Sequence, residues 1–256
     1  MGRPRILILG GTGEARLLAE ALAVRDDCDV LLSLAGRTEK PAAQPVSVRV
    51  GGFGGAAALA DFLKADGYHL LIDATHPFAE RISANAAFAA EATGIAAIAL
   101  RRPQWQRLPG DRWREVRSIP AAIAALGPSP RHVLLATGRQ GAHYAQAAPQ
   151  HHYLIRSVDP VEPQPVLANV DYVLDRGPFT LEGECALLKQ HGIDAIIAKN
   201  SGGAATFAKI EAARLLGIEV MMVARAPASA VRTVDTVEAA LAAIDHFFSP
   251  AMKRGV

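Results

Sequence analysis

Short runs of apolar residues alternate with longer stretches of helical periodicity along the whole chain. In the first half the apolar runs lie at residues 6–9, 30–34, 70–72 and 96–100, and the helical stretches at 14–23, 56–65 and 79–93. A short apolar run bounded by turn residues is typical of a buried strand, and the longer stretches are typical of helices that pack on a sheet. The alternation predicts an α/β fold in which helices cover both faces of a parallel sheet.

The alternation begins again after Gly127-Pro128-Ser129-Pro130, which is the strongest linker candidate in the chain. Three pairs of segments then resemble one another in order: 63–72 and 188–197, 94–103 and 217–227, and 116–119 and 234–237. The first pair keeps a constant offset and an aligned Lys-x-x-Gly turn. We therefore expect two similar Rossmann-like halves, 1–127 and 131–256, whose parallel sheets face each other across a cleft. An exchange of a strand between the halves stays open, because residues 116–119 could pack on either sheet.

Composition excludes several classes of function. Half of the 256 residues are apolar and the formal net charge is +2, which is not the concentrated basic surface of a nucleic-acid-binding protein. The two cysteines, Cys28 and Cys185, cannot form a disulfide framework, and His151-His152 lacks the spacing of a metal site, so no metal is predicted. The sequence has neither a signal-peptide pattern nor the roughly 18 apolar residues of a membrane helix. We expect a cytoplasmic protein that needs no membrane and no obligate protein partner.

The first candidate site is the loop Gly10-Gly11-Thr12-Gly13-Glu14, between the first predicted strand and the first predicted helix. Glycines at this place allow a tight turn and the close approach of a diphosphate, and the helix N-terminus attracts negative charge. Thr12 could donate a hydroxyl hydrogen bond. The pattern departs from the usual dinucleotide motif, because Arg16 replaces its third glycine. The loop predicts a dinucleotide phosphate site, with a tight turn that binds no ligand as the alternative.

The end of the second strand predicts which dinucleotide binds. Enzymes that use NAD usually carry Asp or Glu here to hold the ribose hydroxyls, but this chain offers Ser33-Leu34-Ala35-Gly36-Arg37-Thr38. A guanidinium and two hydroxyls suit the 2′-phosphate of NADP, so NADPH or NADP is the predicted cofactor. The alternative is a surface arginine, or one that pairs with Glu39. In the next glycine-rich turn, Gly52 and Phe53 could pack against adenine or form only a flexible turn.

The string Asp73-Ala74-Thr75-His76-Pro77-Phe78-Ala79 follows the apolar run at 70–72, which is the third predicted strand of the first half. This strand end is expected near the nicotinamide, so Asp73, Ala74 and Thr75 are predicted to contact the cofactor. His76 is a candidate proton donor, because imidazole titrates near neutral pH. The alternative is that Asp73 or Thr75 caps the next helix and His76 only packs.

Two loops of the second half stand in places equivalent to those of the first. Thr137-Gly138-Arg139 corresponds to the glycine loop, and Lys199-Asn200-Ser201-Gly202-Gly203 corresponds to the loop at 73–79. Both combine a cation with glycines and with hydroxyl or amide donors, which suits carboxylates or phosphates. Arg156 and Arg176 lie at neighbouring strand ends. The second half is therefore predicted to bind an anionic substrate, with basic residues solvated at the surface as the alternative.

These motifs resemble the precorrin-6A reductase family, the NADPH-dependent reductases of cobalamin biosynthesis. The resemblance spans nearly the whole chain in order, and the strings at 73–79 and 199–203 are its specific parts. It implies two Rossmann-like halves and hydride transfer from NADPH to a double bond of a methylated tetrapyrrole, at the carbon next to the directly linked pair of rings. Precorrin-6A would become precorrin-6B. The sequence leaves open whether the substrate carries cobalt, and it does not indicate the oligomeric state.

The predicted site residues divide between the two halves. Those expected to bind the cofactor are Gly10, Gly11, Thr12, Gly13, Glu14, Ser33, Ala35, Gly36, Arg37, Thr38, Gly52, Phe53, Asp73, Ala74 and Thr75. Those expected to bind the tetrapyrrole are His76, Pro77, Phe78, Thr137, Gly138, Arg139, Arg156, Lys199, Asn200, Ser201, Gly202 and Gly203. The candidate catalytic residues are His76 and Lys199, with solvent as a third source of the proton. The competing hypotheses are an NADP-dependent reductase of another small anionic substrate and a non-catalytic NADP-sensing module.

Overall fold

The computed structural model describes residues 3–36, 43–227 and 231–249. These residues form two compact units, of which unit 1 comprises Met1–Pro103 with Ala226–Val256 and unit 2 comprises Gln104–Arg225. Strands and helices are numbered below along the chain. Within the described residues, no helix is both long enough and apolar enough to cross a membrane.

Unit 1 is a six-stranded parallel sheet in the order β12-β5-β4-β1-β2-β3. Its strands are β1 (Arg5–Leu9), β2 (Asp29–Leu34), β3 (Ser47–Val50), β4 (Leu70–Asp73), β5 (Ala96–Leu100) and β12 (Arg232–Val234). Its helices are α1 (Gly13–Ala23), α2 (Ala56–Ala65), α3 (Glu80–Thr93) and α7 (Val237–Phe248). Apart from the source of its sixth strand, this is the strand order of a Rossmann fold.

Unit 2 repeats that order as β6-β11-β10-β7-β8-β9, again with six parallel strands. Its strands are β6 (Trp113–Val116), β7 (His132–Ala136), β8 (His152–Ser157), β9 (Val170–Leu174), β10 (Ala195–Lys199) and β11 (Glu219–Val223). Its helices are α4 (Ile119–Ala125), α5 (Leu181–Gln190), α6 (Ala208–Leu216) and a 3₁₀ helix at Arg139–Ala147. The prediction of two Rossmann-like α/β halves is confirmed.

Alternating apolar residues build a core on each face of the sheet in unit 1. Along β1, Ile6 and Ile8 point into a core that they share with α1 and α7, while Leu7 and Leu9 point into one shared with α2 and α3. All four side chains are almost fully buried. Because both faces are covered, the strand is apolar throughout, as parallel strands generally are.

The internal repeat is visible in the hydrogen bonds that end its helices. Gly67 and Gly192 adopt φ angles of 64° and 57°, in the left-handed region that glycine tolerates best. The next N–H donates to a carbonyl five residues back in both places, from Tyr68 to Leu63 and from Ile193 to Leu188, at 2.9 Å in each. The aligned Lys-x-x-Gly turns are therefore the same helix C-cap.

The boundaries predicted for the halves, 1–127 and 131–256, are wrong, because the chain exchanges a strand–helix segment in each direction. Strand β6 pairs with β11 of unit 2, and β12 pairs with β5 of unit 1. Burial of large side chains accounts for the first exchange, since Trp105 and Trp113 both lie in the core of unit 2. On the other side, Ala240, Ala243 and Ile244 of α7 complete the core of unit 1.

Candidate functional site

The glycine loop after β1 is held close to the neighbouring strand. The Gly10 N–H donates to the Ser33 carbonyl at 2.9 Å, and a Cβ at Gly10 would lie 2.6 Å from Leu32 Cδ1. Gly11 has a φ of 112°, a conformation that side-chain-bearing residues rarely adopt. A Cβ at Gly11 or Gly13 would meet no heavy atom within 4 Å. The loop is thus tight where it meets the sheet and open on its outer side, which suits a diphosphate at the N-terminus of α1.

Thr12 shapes this loop through two hydrogen bonds. Its Oγ1 accepts from the Ala15 N–H at 3.1 Å and caps α1, and it donates to the Ala74 carbonyl at 2.8 Å. The hydroxyl hydrogen that was expected to face a ligand is therefore used to tie the glycine loop to the end of β4. Thr12 contributes to the shape of the predicted phosphate site.

Glu14 forms an ion pair that the sequence did not reveal. Both oxygens of its carboxylate accept from the same Arg102 nitrogen, at 2.8 and 3.0 Å. The side chains are about one-fifth exposed, and the carboxylate lies in the first turn of α1, where the helix dipole stabilises it. The pair places a cation from the end of β5 beside the glycine loop.

After the end of β2, the structure describes the chain as far as Gly36. Ser33 is buried, and Gly36 turns with a φ of 70° where a Cβ would come within 3.2 Å of Val50. Arg37 and Thr38 lie outside the described residues, so their contact with a 2′-phosphate stays a prediction.

Phe53 is covered by protein rather than presented to a ligand. Its ring centroid lies 5.1 Å from that of Phe62, and the Arg49 guanidinium stacks over it at 4.0 Å. Arg49 also donates to the carbonyl of Gly52 at 2.8 Å. The predicted packing of Phe53 against adenine therefore does not hold for the ring face that Arg49 covers. Arg49 itself was missed, although a cation in β3 four residues before Phe53 was a usable signal.

The loop after β4 is organised by Asp73 and Arg101. One Asp73 carboxylate oxygen accepts from the N–H and the hydroxyl of Thr75, at 3.1 and 2.7 Å. The other oxygen pairs with the Arg101 guanidinium, which also donates to the carbonyl of Asp73 and to Ser83 Oγ. Asp73 and Thr75 are buried. Their side chains fix the loop. Neither of them caps α3, whose N-cap residue is Ala79 without a side-chain hydrogen bond, so the capping alternative is wrong, and a contact of Asp73 and Thr75 with the cofactor stays a prediction.

His76 follows on the same loop and is half-buried. Its Nδ1 accepts from the Phe78 N–H at 3.2 Å, and its backbone carbonyl accepts from Ala79. Because Nδ1 acts as the acceptor, the proton of the neutral imidazole resides on Nε2. The Phe78 ring lies 5.9 Å from the imidazole, and Pro77 between them is half-buried. The loop thus holds the imidazole in one tautomer.

In unit 2, the loop after β7 differs from the glycine loop of unit 1. Gly138, with a φ of 76°, precedes a 3₁₀ helix that begins at Arg139. The Thr137 side chain packs against Gly141, where any Cβ would overlap its hydroxyl. Thr137 Oγ1 is buried without a hydrogen-bond partner among the described residues. Thr137 therefore fills the space beside Gly141.

Arg156 does not offer its charge to a ligand. Its guanidinium pairs with both oxygens of Glu184 on α5, and the two side chains are 6% and 3% exposed. The Phe179 ring lies 4.2 Å from the guanidinium carbon. Because its charge is neutralised inside unit 2, this arrangement gives no support to the prediction that Arg156 binds an anionic substrate. Arg176 is exposed.

The loop after β10 holds Trp105 in place. Asn200 Oδ1 accepts from the Trp105 N–H at 2.8 Å, and Asn200 Nδ2 donates to the Trp105 carbonyl at 3.0 Å. The indole N–H donates to the carbonyl of Gly203 at 2.8 Å. The amide of Asn200 is thus bound to the backbone of Trp105, which gives no support to its predicted contact with substrate. Gly202 and Gly203 supply the left-handed turns, with φ angles of 67° and 75°.

Arginines at equivalent positions brace both loops. Arg101 donates to the carbonyls of Asp73 and Thr75, and Arg225 donates to those of Asn200 and Ser201 at 2.8 and 2.7 Å. The sequence repeat aligned the two arginines without indicating this role. Lys199, half-buried, ends β10 at the start of the second loop.

Replacing Asn200 with alanine is expected to destabilise unit 2 by about 2–3 kcal/mol, because a buried N–H and a buried carbonyl lose their partner. Urea unfolding followed by tryptophan fluorescence measures this directly, since both tryptophans lie in unit 2. Asn169→Ala, at an exposed position of the same unit, is the matched control and should cost less than about 0.5 kcal/mol. Equal costs for the two variants would contradict the role given to Asn200.

Two Rossmann-like units, one of them with an open phosphate loop, are typical of dinucleotide-dependent α/β enzymes. Comparison with known proteins narrows this class. The family described as "Precorrin-6x reductase CbiJ/CobK" matches residues 5–245, and the chain belongs to this family. The chain is therefore an oxidoreductase, which indicates a nicotinamide cofactor and favours an enzyme over a non-catalytic sensing module.

Individual relatives agree with this membership. A precorrin-6A reductase of Sinorhizobium sp. is 56% identical over 251 residues, which cover 98% of this chain and 96% of the relative. The solved structure of "CobK precorrin-6A reductase" is 44% identical, with a TM-score of 0.91 over 99% of this chain and 100% of that one. A cobalt-precorrin-6A reductase of Priestia megaterium is 29% identical over 86% of this chain and 90% of the relative.

Proposed function

We propose that this chain reduces precorrin-6A with NADPH to give precorrin-6B in cobalamin biosynthesis, and that it does so in the cytoplasm. The observation that carries the proposal is membership of the precorrin-6x reductase family over residues 5–245. In this proposal unit 1 holds NADPH and unit 2 supplies contacts to the tetrapyrrole. No metal and no covalent nucleophile is needed, because hydride transfer depends mainly on positioning the reactants.

The glycine loop fits the diphosphate of NADPH. Its outer side is open at Gly11 and Gly13, and it leads into the N-terminus of α1, where backbone N–H groups and the helix dipole favour phosphate. When bound, NADPH supplies the hydride. The Asp73–Arg101 pair holds the neighbouring loop in shape, so the backbone at Ala74 and Thr75 is the part of this loop proposed to contact the cofactor.

The proton that accompanies hydride transfer is assigned to His76. Its Nδ1 accepts a backbone hydrogen bond from Phe78, which keeps the proton of the neutral ring on Nε2. The proton is donated by the imidazolium form, which the ring reaches by taking up a proton from solvent and which returns to the neutral form on donation. Arg101 supports this role indirectly, because it binds the carbonyl of Thr75 next to His76.

Unit 2 offers an apolar surface beside its candidate substrate loop. A shallow cavity of about 310 Å³ is lined by Trp105, Gln106, Leu108, Gly203, Ala204 and Phe207. It lies at the carboxyl ends of the strands, where open α/β sheets bind ligands. An apolar surface on the loop that follows Lys199 suits a methylated ring system with carboxylate side chains. A cobalt-free substrate is proposed because the relative named for precorrin-6A is 56% identical and the one named for cobalt-precorrin-6A is 29% identical.

The decisive experiment incubates the purified full chain with precorrin-6A and either NADPH or NADH, and follows both reactants optically. NADPH and precorrin-6A should be consumed together, and NADH should support much slower turnover. A parallel reaction with cobalt-precorrin-6A should be slower than that with the cobalt-free substrate. Folded protein that consumes neither reactant would refute the proposal, and turnover with another anionic substrate alone would favour the competing reductase hypothesis.

Replacing Lys199 with methionine is expected to raise the KM for the tetrapyrrole by about 10–100-fold, because a charge-assisted contact to a carboxylate is lost. The affinity for NADPH, measured by isothermal titration, should not change. Lys189→Met removes the same charge from an exposed position of unit 2 and serves as the control. If NADPH binding falls instead, the division of labour between the units is wrong.

A further inference from the structure

Arg49 is a cation held in a fixed orientation at the ends of β2 and β3. It stands opposite Ser33 in the register of the two strands. Its two terminal nitrogens donate to the carbonyls of Gly51 and Gly52 at 2.6 and 2.8 Å, and the guanidinium carbon lies 4.0 Å from the centroid of the Phe53 ring. These three contacts fix both the position and the plane of the group.

The charge of Arg49 is not neutralised within the described residues. Arg101, Arg102 and Arg156 each pair with a carboxylate, whereas Arg49 makes no ion pair with any residue in the ranges that the structure describes. A guanidinium carries five N–H groups, and the two hydrogen bonds to carbonyls use two of them. The side chain is half-buried. Arg49 therefore retains a full positive charge and donors in a defined direction, which suits a phosphate.

The position in the fold indicates which phosphate. In a Rossmann-like sheet the ribose of the adenosine half lies at the end of the second strand, and β3 is its neighbour in the sheet. The described end of β2 carries no carboxylate, since it runs through Ser33, Leu34, Ala35 and Gly36. A ribose hydroxyl of NAD would find no carboxylate there, but a 2′-phosphate would find a cation.

We propose that Arg49 binds the 2′-phosphate of the cofactor and so contributes to the preference for NADPH over NADH. The inference rests on the proposed use of NADPH and adds a specificity-determining residue to it. It also gives Phe53 and Phe62 a role, because their rings lie 4.0 and 5.5 Å from the guanidinium carbon and hold it in place.

Isothermal titration with adenosine 2′,5′-bisphosphate and with AMP tests the proposal, because the two probes differ at the 2′-phosphate. Arg49→Gln should weaken binding of the bisphosphate by about 10–100-fold, the loss of a charge-assisted contact, and leave AMP within about twofold. Arg49→Lys keeps the charge without the planar fork and should give an intermediate loss. Arg3→Gln removes the same charge at an exposed position before β1, where the strands of the sheet begin rather than end. It should change the affinity for neither probe.

The outcomes separate this inference from the proposed function. If the unaltered chain binds the bisphosphate no better than AMP, the preference for NADPH itself fails. If it prefers the bisphosphate and Arg49→Gln leaves that preference intact, only the role of Arg49 is overturned. Equal losses for both probes would also overturn it, because they would mean that the variant disturbs the loop or the adenine site. Circular dichroism of each variant, compared with the unaltered chain, shows that the protein keeps its secondary structure when the titration is made.

Discussion

Replacing Glu184 with glutamine is expected to destabilise unit 2 by about 3–5 kcal/mol, because the substitution leaves the Arg156 charge buried without its partner. The two side chains are 3% and 6% exposed, so water cannot replace the lost carboxylate. The Phe179 ring at 4.2 Å provides a cation–π contact, which is too weak to compensate. The change should appear as a large fall in the urea midpoint of the tryptophan fluorescence transition, which reports on unit 2.

A matched control and a double variant make this prediction specific. Glu182→Gln removes the same charge from an exposed position in the first turn of α5, close to Glu184 in the sequence. It should lower the free energy of unfolding by less than about 1 kcal/mol. Glu184→Leu combined with Arg156→Met removes both charges and keeps similar volumes, so its stability should return close to that of the unaltered chain. If the double variant is as unstable as Glu184→Gln, loss of packing rather than an uncompensated charge is the cause.

The same pair shows which part of the site the sequence could not predict. The position of Arg156 at a strand end was predicted correctly, since Arg156 lies in β8 near the carboxyl end of the strand. Its partner lies in α5, and no spacing rule connects these two positions. The amide of Asn200 is a comparable case, because the backbone that it binds at Trp105 is 95 residues away in the sequence. Partners brought together by tertiary structure decide whether a polar residue is available to a ligand.

Local patterns predicted the elements well and failed at the exchange between the units. Residues 116–119 and 234–237 are equivalent in the repeat, and Ser118 and Thr236 cap their helices in the same way, at 3.2 and 3.1 Å. Such similar segments fit either sheet, so their sequence alone does not choose between them. The choice follows from the connecting segment, in which Trp105 is fixed by Asn200 and buried in unit 2.

The backbone conformation of Gly11 makes cofactor binding sensitive to substitution at this position. Gly11→Ala is expected to weaken NADPH binding by about 10–100-fold, because alanine at a φ of 112° is strained by about 1–3 kcal/mol and the loop must turn its N–H groups away to relax. A clash with protein is not the cause, since a Cβ there meets no heavy atom within 4 Å. Isothermal titration with NADPH measures the loss.

The control for Gly11 is another left-handed glycine of unit 1. Gly94 ends α3 with a φ of 71°, also without a neighbour within 4 Å of its Cβ, and it precedes β5 at the amino edge of the sheet. Gly94→Ala should lower stability by about 1 kcal/mol while NADPH binding stays within about twofold. Strain alone is common to both variants, so a loss of affinity confined to Gly11→Ala assigns the effect to the phosphate loop. Equal affinities in the two variants would mean that the dinucleotide does not bind at this loop, whichever nicotinamide cofactor the enzyme uses.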